Sequence, residues 1–474
     1  MVIHVVGDQN YDQRVEINLS GSVSCRLDTR HPNALDRPPK SKLVLCMNGR
    51  LRHFTATFRG CFSKPQHRYF EIVLLALLLC HEVRTLTALL RQVVGRGSLS
   101  GLSRFLAKAP WETAAVAQTW RTRFDTQVTP LVEADQARQH AARPKQRGRP
   151  KAPVVTGYLI GDDSTVEKRR GKKMAGLGKH YSTTAGTQVW GHSLVQALYV
   201  VEGRRCPLEP QLYRQKAVCD REGAPFRSKI DLMEGQICSF SPLGGTRTHI
   251  LLDSWYAAKR LWQAARQRGF LITTGLKSNR QLRIVDPDAP QGWRWQSLAD
   301  YAAGLLDADF EVVTWPSQGE EPRQVWVHVV QTRVKKLSRC QVVIVREALN
   351  APLNQTRYFA SSDLEADVAT LVGHLAVRWE VEVLFADCKE LLGLDQYQVM
   401  RAAGIVRFWT LVMAAYLYLD EERARLRHEW QRHVTLGEAR REVQRVHWQH
   451  LITWMHHQFL AGVPPQTLFE QLAA

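Results

Sequence analysis

Two apolar runs that each lead into an acid place the tightest constraint on this chain. Residues 154–160 run into Gly161-Asp162-Asp163-Ser164, and residues 249–252 run into Asp253. Short apolar runs bounded by polar residues read as buried strands. Further strands are predicted at 188–190, 194–201 and 270–273, with a helix at 257–267. Strands followed by alternating helix and strand describe a mixed α/β core. Such folds place their chemistry at the ends of core strands. A strand-end acid also commonly caps the next helix, a role open to Asp253 ahead of Ser254-Trp255-Tyr256-Ala257.

The chain's 474 residues exceed the roughly 250–300 at which a single hydrophobic core stops growing, so two or three domains are expected. With 45% hydrophobic and 23% charged residues, the composition excludes a fibrous or disordered chain. The 64 Lys and Arg against 45 Asp and Glu leave a formal charge of +19 and a pI near 9.7. Nucleic acid is the polyanion such a surface fits, with an anionic membrane as the rival. The longest apolar run, 72–80, falls well short of the ~20 residues that cross a bilayer. The first residues lack a secretory pattern. The expected location is the cytoplasm, with no membrane partner. Nine cysteines without any C-x-x-C pair give neither a zinc site nor a disulfide framework, and read as reduced core thiols.

Residues 69–131 turn helical, with 72–80 followed by Leu86, Leu89, Leu90 and Val93 at three- and four-residue spacing, and with Ser98 and Ser100 as caps for a short helix. From 138 to 151 there are six Lys or Arg and no acid, in a string too rich in Pro and Gly for a helix. A β-rich stretch from 279 to 359, with strands at 310–315, 325–330 and 342–345, precedes long helices predicted at 364–392 and 401–426.

Two-metal phosphodiester chemistry needs carboxylates converging on ions ~3.5–4 Å apart. Asp162 and Asp253 supply two from strand ends. At about 100° per residue, Leu371, Leu375, Arg378, Glu382, Phe385 and Lys389 share one helical stripe. Three charged residues thus lie on an apolar face. Glu380 lies about 200° around from Arg378 and faces away, so Glu382 is the third candidate. An intrahelical Arg378–Glu382 pair, worth only ~0.2–0.5 kcal/mol at a surface, does not explain its place among leucines.

The segment Arg378-Trp379-x-x-Glu382-x-x-Phe385-x-x-x-Lys389 resembles the Y-x2-R-x3-E-x6-K signature of bacterial DDE transposases of the insertion-sequence-four superfamily. Arg378, Glu382 and Lys389 match its spacings, and Leu375 stands where the family has tyrosine. Asp162-Asp163-Ser164 is similar to the D-D-T motif of that group, and Asp253-Ser254-Trp255-Tyr256 to its second-aspartate motif. Residues 98–112 resemble its N-terminal helical region, so the likeness covers about 60–426.

The resemblance implies an α/β fold: a ribonuclease-H-like mixed-sheet catalytic core with a β-rich insertion before the last catalytic helix, preceded by a helical N-terminal domain. The expected division is 1–48, an unassigned extension; 49–137, a helical DNA-binding domain; 138–152, a basic linker; 153–278, the first part of the core; 279–360, the insertion; 361–430, the second part of the core; and 431–474, a C-terminal helical region. The implied activity is metal-dependent cleavage at transposon ends and strand transfer into target DNA, with two Mg²⁺ or Mn²⁺ ions held by Asp162, Asp253 and Glu382. Asp163 is the alternative to Asp162, since Asp162-x-Ser164 and Asp163-x-Thr165 both fit D-x-S/T and strand neighbours point to opposite faces. Asp162 follows the apolar run directly, as in the family motif, and is preferred. Implied partners are double-stranded DNA, as terminal inverted repeats and target, and a second copy of the chain in a homodimer at the bacterial nucleoid.

Arg378 and Lys389 would meet phosphates, contacts that position DNA rather than read it. Lys168 and Lys172, in the basic run 168–173, could line the same groove, although charge runs are commonly solvated faces. Arg147-Gly148-Arg149-Pro150 resembles an AT-hook core, whose arginines enter narrow minor grooves. In relatives the insertion supports a DNA hairpin with an aromatic holding a flipped base. Trp293, Trp295, Trp315 and Trp326 are the candidates here, with a buried core place expected for each. The competing functions are a ribonuclease-H-fold nuclease that does not join ends and a domesticated, non-catalytic DNA-binding protein.

Binding dominated by phosphate contacts should weaken with salt at a log–log slope of about −0.9 per phosphate neutralised. A flat salt dependence in a DNA-binding titration would refute the electrostatic reading.

Overall fold

The computed structural model describes residues 16–17, 23–24, 47–93, 97–142, 154–169, 171, 173–182, 185–316 and 323–473. The chain divides into two compact units, 1–43 and 44–474. In the first, β1 (Glu16–Ile17) pairs antiparallel with β2 (Val23–Ser24). The expected extension 1–48 otherwise lies almost wholly outside the described residues.

The second unit opens with five helices: α1 (Gly49–Ala56), α2 (Lys64–Leu79), α3 (Leu86–Arg91), α4 (Leu99–Ala107) and α5 (Thr113–Ala141). Ser63 and Gln66 form a capping box that starts α2, and Ser98 caps α4 by accepting from the Gly101 N–H. On α5, Val116, Trp120, Phe124, Val128 and Val132 recur every four residues as one buried stripe, and the Trp120 indole donates to the Pro207 carbonyl at 2.9 Å.

The central sheet comprises β3 (Val155–Glu167), β4 (Gly178–Ser182), β5 (Thr187–Val201), β6 (Arg204–Pro207), β7 (Gln211–Tyr213), β8 (Thr246–Leu252) and β9 (Leu271–Leu276), with helices α6 (Lys216–Glu222), α7 (Lys229–Ser239) and α8 (Lys259–Gln267) between strands. β5 pairs antiparallel with β3 and β6, while β3, β8 and β9 run parallel. Antiparallel on one side of β3 and parallel on the other is the ribonuclease-H-like arrangement, the mixed α/β fold expected. After the hairpin β10 (Gln281–Val285) and β11 (Trp293–Ser297) and helix α9 (Leu298–Ala303) come β12 (Glu311–Trp315), β13 (Arg323–Arg333), β14 (Arg339–Arg346) and β15 (Arg357–Ser361). These last four form an antiparallel meander that joins β9 through β15, so the β-rich stretch continues the central sheet. The chain ends in α10 (Val368–Val377), α11 (Glu380–Leu392), α12 (Ala402–Trp430), α13 (Leu436–Leu460) and α14 (Pro465–Ala473).

Three features depart from the sequence reading. The strand expected to end at 160 runs on to Glu167, because the long β5 pairs with it through Glu167 after β8 has stopped at Leu252. Asp162 therefore lies inside a strand. The helix expected over 364–392 is two helices meeting at Arg378 and Trp379, where the Glu382 N–H reaches the Trp379 carbonyl, three residues back rather than four. The third is α12, which is long and apolar enough to cross a membrane, a possibility the run at 72–80 did not reveal; most of its apolar stretch is buried inside the protein as the central core helix.

A buried ionic network ties β6 to α11 and α12. The fully buried Asp420 carboxylate accepts from Arg204 at 2.8 Å and from Arg423 at 2.5 Å, while Arg205 pairs with Glu380 at 2.5 Å. Burial pushes the Asp420 carboxyl up, but Arg423, Arg204 and Arg205 outweigh it and hold the group below the usual range. Removing one partner of a buried pair leaves an uncompensated charge, at a cost of about 3–5 kcal/mol. Asp420→Ala should lose that much in denaturant unfolding, and a loss under about 1 kcal/mol would show that the network adds little.

Candidate active site

Register assembles the site. β3 and β8 pair in parallel with Gly161 opposite Leu252, which puts the next residues, Asp162 and Asp253, side by side where β8 ends. Adjacent strands lie about 4.8 Å apart. β8 stops because Asp253 turns outward, its carboxylate accepting from the Ser254 N–H to cap the short 3-10 turn Ser254–Tyr256. Asp253 thus fills the capping role open to it as well as lying in the cluster. The turn packs directly on β9, since a Cβ on Gly275 would come within 2.8 Å of the Ser254 nitrogen.

Glu382 enters from the first turn of α11, where its Oε1 accepts from the Arg378 guanidinium at 2.9 Å. The Arg378–Glu382 pair is therefore formed, but across the junction of α10 and α11 rather than within one helix. Burial pushes the Glu382 carboxyl up, Arg378 pulls it back, and Asp253 adds a further upward push. Asp162 is pushed up to about 7, first by burial and then by Asp163; the Asp163 N–H counters this, Asp253 adds to it, and Arg378 opposes it. Asp253 and Arg378 thus each act on both Asp162 and Glu382, which links the four side chains into one electrostatic cluster.

The two neighbouring aspartates have different surroundings. Asp163 accepts from the Lys229 ammonium at 2.5 Å, the Tyr256 hydroxyl at 2.9 Å and the Ser193 hydroxyl at 3.4 Å. Among the described residues no side chain donates to the Asp162 carboxylate, which takes only the Asp163 N–H at 2.7 Å. The sequence reading missed Lys229 and Ser193, which stand 66 and 30 residues from Asp163 and have no local signal. Tyr256 was visible only as part of the second-aspartate motif. Glu380 faces away from the cluster, toward Arg205, as the helical stripe requires.

The expected DNA contacts divide. Lys389 is half-buried, with its ammonium lowered by burial and reaching the Thr165 carbonyl of β3 at 3.5 Å. Lys168 is corrected: its ammonium donates to the Asp395 and Tyr397 carbonyls at 2.6 Å each and lies 3.6 Å from the Tyr397 ring centroid, so it braces the loop after α11 rather than lining a groove. Burial lowers it to about 8. Lys172, Arg147 and Arg149 lie outside the described residues. The four insertion tryptophans are half-buried rather than core. Arg283 lies 4.6 Å over Trp293, and Arg323 lies 5.3 Å over Trp315. Trp255 and Trp379, which flank the acids in sequence, are exposed. Leu375, at the signature's tyrosine position, is buried against Val325, Val327, Val343 and Val345.

The acids fit a divalent cation. Their donors are hard oxygens, and the Asp162 carboxyl is raised first by burial and further by the neighbouring Asp163 and Asp253, against which the Asp163 N–H and Arg378 pull it down.

A family model described as DDE superfamily endonuclease matches residues 57–297, and one described as Transposase DDE domain matches residues 233–418. No curated protein matches the sequence. The solved piggyBac transposase synaptic complex with hairpin DNA aligns with 11% identity and a TM-score of 0.36, over 68% of this chain and 57% of that one. The chain thus spans little more than half the length of that relative.

Asp162 supplies a pH test. Its folded value, about 7, lies above the ordinary 3.8, so the protein loses stability as pH rises from about 4 to 7, and the loss is complete above that window. In metal-free protein, Asp162→Asn should escape this cost, gaining on the order of 1–2 kcal/mol over wild type at about pH 8 and less at about pH 5. Urea unfolding at the two pH values checks it, and an equal gap at both would contradict the reading.

Proposed function

The chain belongs to the DDE superfamily endonucleases and carries a transposase DDE domain, and from that premise we propose that it performs cut-and-paste transposition as a member of the bacterial insertion-sequence-four group. The observation that carries the proposal is the convergence of Asp162, Asp253 and Glu382 into one electrostatic cluster around the end of β8. In this reading these three carboxylates would hold two Mg²⁺ or Mn²⁺ ions, which would supply activation of a water or a DNA 3′-hydroxyl and charge stabilisation at a phosphodiester.

The chain's own residues do the positioning. Lys229 neutralises Asp163 and the Tyr256 hydroxyl donates to it, which in this reading leaves Asp162 as the ligand-competent member of the pair. Arg378 holds Glu382 until phosphate and cation compete for the two, and its guanidinium then lies beside the DNA backbone. Lys389 sits two turns further along the same face of α11, next to β3. The half-buried tryptophans and overlying arginines of the insertion offer stacking and phosphate contacts to a transposon end. The proposed assembly is a homodimer on the terminal inverted repeats, in the cytoplasm.

Two neighbouring glutamates provide the test. Glu382→Gln should abolish metal-dependent nicking of plasmid DNA bearing the element's ends at every Mg²⁺ or Mn²⁺ concentration, with DNA binding kept within a few-fold. Glu380→Gln should keep nicking and lose stability instead, because it weakens the pair with Arg205. Reversed outcomes would sink the assignment. Joining of a pre-cut 3′-hydroxyl end to target DNA is expected, and incision without joining would make the protein a nuclease.

A further inference from the structure

Below the acid cluster, three potential ligands meet at a place that the proposed chemistry does not use. The ligand atoms of His249 on β8, His374 on α10 and Asp363 in the loop after β15 all lie within 4.8 Å of one another. Both imidazoles are buried, with ring centroids 4.1 Å apart, and Asp363 is partly buried. Among the described residues, His249 Nδ1 and His374 Nε2 have no hydrogen-bond partner. A buried polar atom left unpaired is costly, and two such atoms beside one carboxylate mark a place that a cation satisfies.

The opposite ring nitrogens are held. His249 Nε2 lies 2.8 Å from the Thr273 hydroxyl, which itself donates to the Ser361 hydroxyl at 2.9 Å. With its proton spent on Ser361, Thr273 accepts the His249 Nε2–H, which leaves Nδ1 as the lone pair. The Tyr158 hydroxyl lies 3.1 Å from His374 Nδ1, and Asp363 Oδ1 accepts from the Glu365 N–H at 3.1 Å. Metal-binding histidines are oriented in this way, through the nitrogen that does not bind.

We propose that His249, His374 and Asp363 form a second metal site, separate from the acidic cluster, that takes one borderline divalent transition ion, Zn²⁺ by preference. Two imidazoles and one carboxylate suit such an ion better than the all-oxygen set that Mg²⁺ prefers. Ligand atoms around a tetrahedral zinc stand about 3.4 Å apart, so binding draws the three together by up to roughly 1.4 Å. A water completes the shell. His249 lies four residues, about 13 Å, before Asp253 on β8, and His374 lies eight residues, about 12 Å, before Glu382. An ion there pins α10 to the sheet and sets the junction at Arg378 from which α11, the helix that carries Glu382, departs.

The test uses the full chain, stripped with chelator, in an Asp162→Asn, Asp253→Asn, Glu382→Gln background that disables the acidic cluster. Titration with Co²⁺ as a spectroscopic probe and with Zn²⁺ in competition should give one tight equivalent and a higher Tm. Thr273→Val should weaken Zn²⁺ binding about 10–100-fold by freeing the His249 ring, and Asp363→Asn at least as much. Both are near-isosteric, and circular dichroism confirms that each is folded. His374→Gln should remove the cobalt spectrum. No uptake in the triple background, which would leave only a bridging water at the site, overturns the proposal; so does one-equivalent binding that Asp363→Asn and Thr273→Val leave unchanged. Neither result depends on DNA cleavage, so the proposal stands or falls apart from transposition.

Discussion

The parallel register between β3 and β8 is the constraint on which the rest depends. It aligns Gly161 with Leu252 and therefore Asp162 with Asp253, bringing together two acids 91 residues apart on adjacent strands. Strand side chains alternate with a period of two, so a slip of one residue would point Asp163 toward the cluster and send Asp162 to the opposite face. Leu159, Ile160, Ile250, Leu251 and Leu252 are all buried, so both faces of this strand pair are apolar and the register rests on the fit of side chains rather than on an apolar–polar alternation. Gly161 is part of the same solution, because a Cβ there would meet the Met233 and Leu252 side chains at 2.5–2.8 Å.

Glu382 reaches the cluster through a different device. α10 packs Leu371, Val372 and Leu375 against the apolar face of β13 and β14, and the chain turns at Arg378 and Trp379 before α11 begins. Beyond that turn, Glu380 anchors one face of α11 to Arg205, and Glu382 falls on the other. The extension of the sheet by β12 to β15 is thus the platform for the first of the two helices. Leucine rather than tyrosine at 375 follows from this packing, since a tyrosine there would need a partner for its hydroxyl within an apolar cluster.

The sequence carried what depends on local periodicity. Apolar runs marked β3 and β8, and helical spacing placed Glu382 with Arg378 and Glu380 opposite them. It did not carry what depends on the length or position of a distant partner. Asp162 reads as a strand end until β5 is known to outrun β8. Lys168 reads as a surface charge until the Asp395 and Tyr397 carbonyls, more than 220 residues away, are seen to enclose its ammonium. Nothing in Arg378-Trp379 breaks a helix by composition, and the turn there follows from the two surfaces that α10 and α11 must cover. His249 and His374, on separate elements 125 residues apart, offered no spacing to read.

The treatment of neighbouring acids gives the cluster its character. Asp163 beside Asp162, and Glu380 two residues before Glu382, each have a basic partner, Lys229 and Arg205 respectively. Among the described residues, the acids that face the cluster share Arg378 alone, despite a chain-wide surplus of 19 positive charges. A fold that required those carboxylates only for stability would pair them as it pairs Asp163 and Glu380, since uncompensated buried charge costs several kcal/mol. On the function proposed above, those carboxylates would repel a DNA phosphate until a cation intervened. Productive approach of a phosphodiester would then be conditional on metal, while contacts of basic residues with phosphates elsewhere would not.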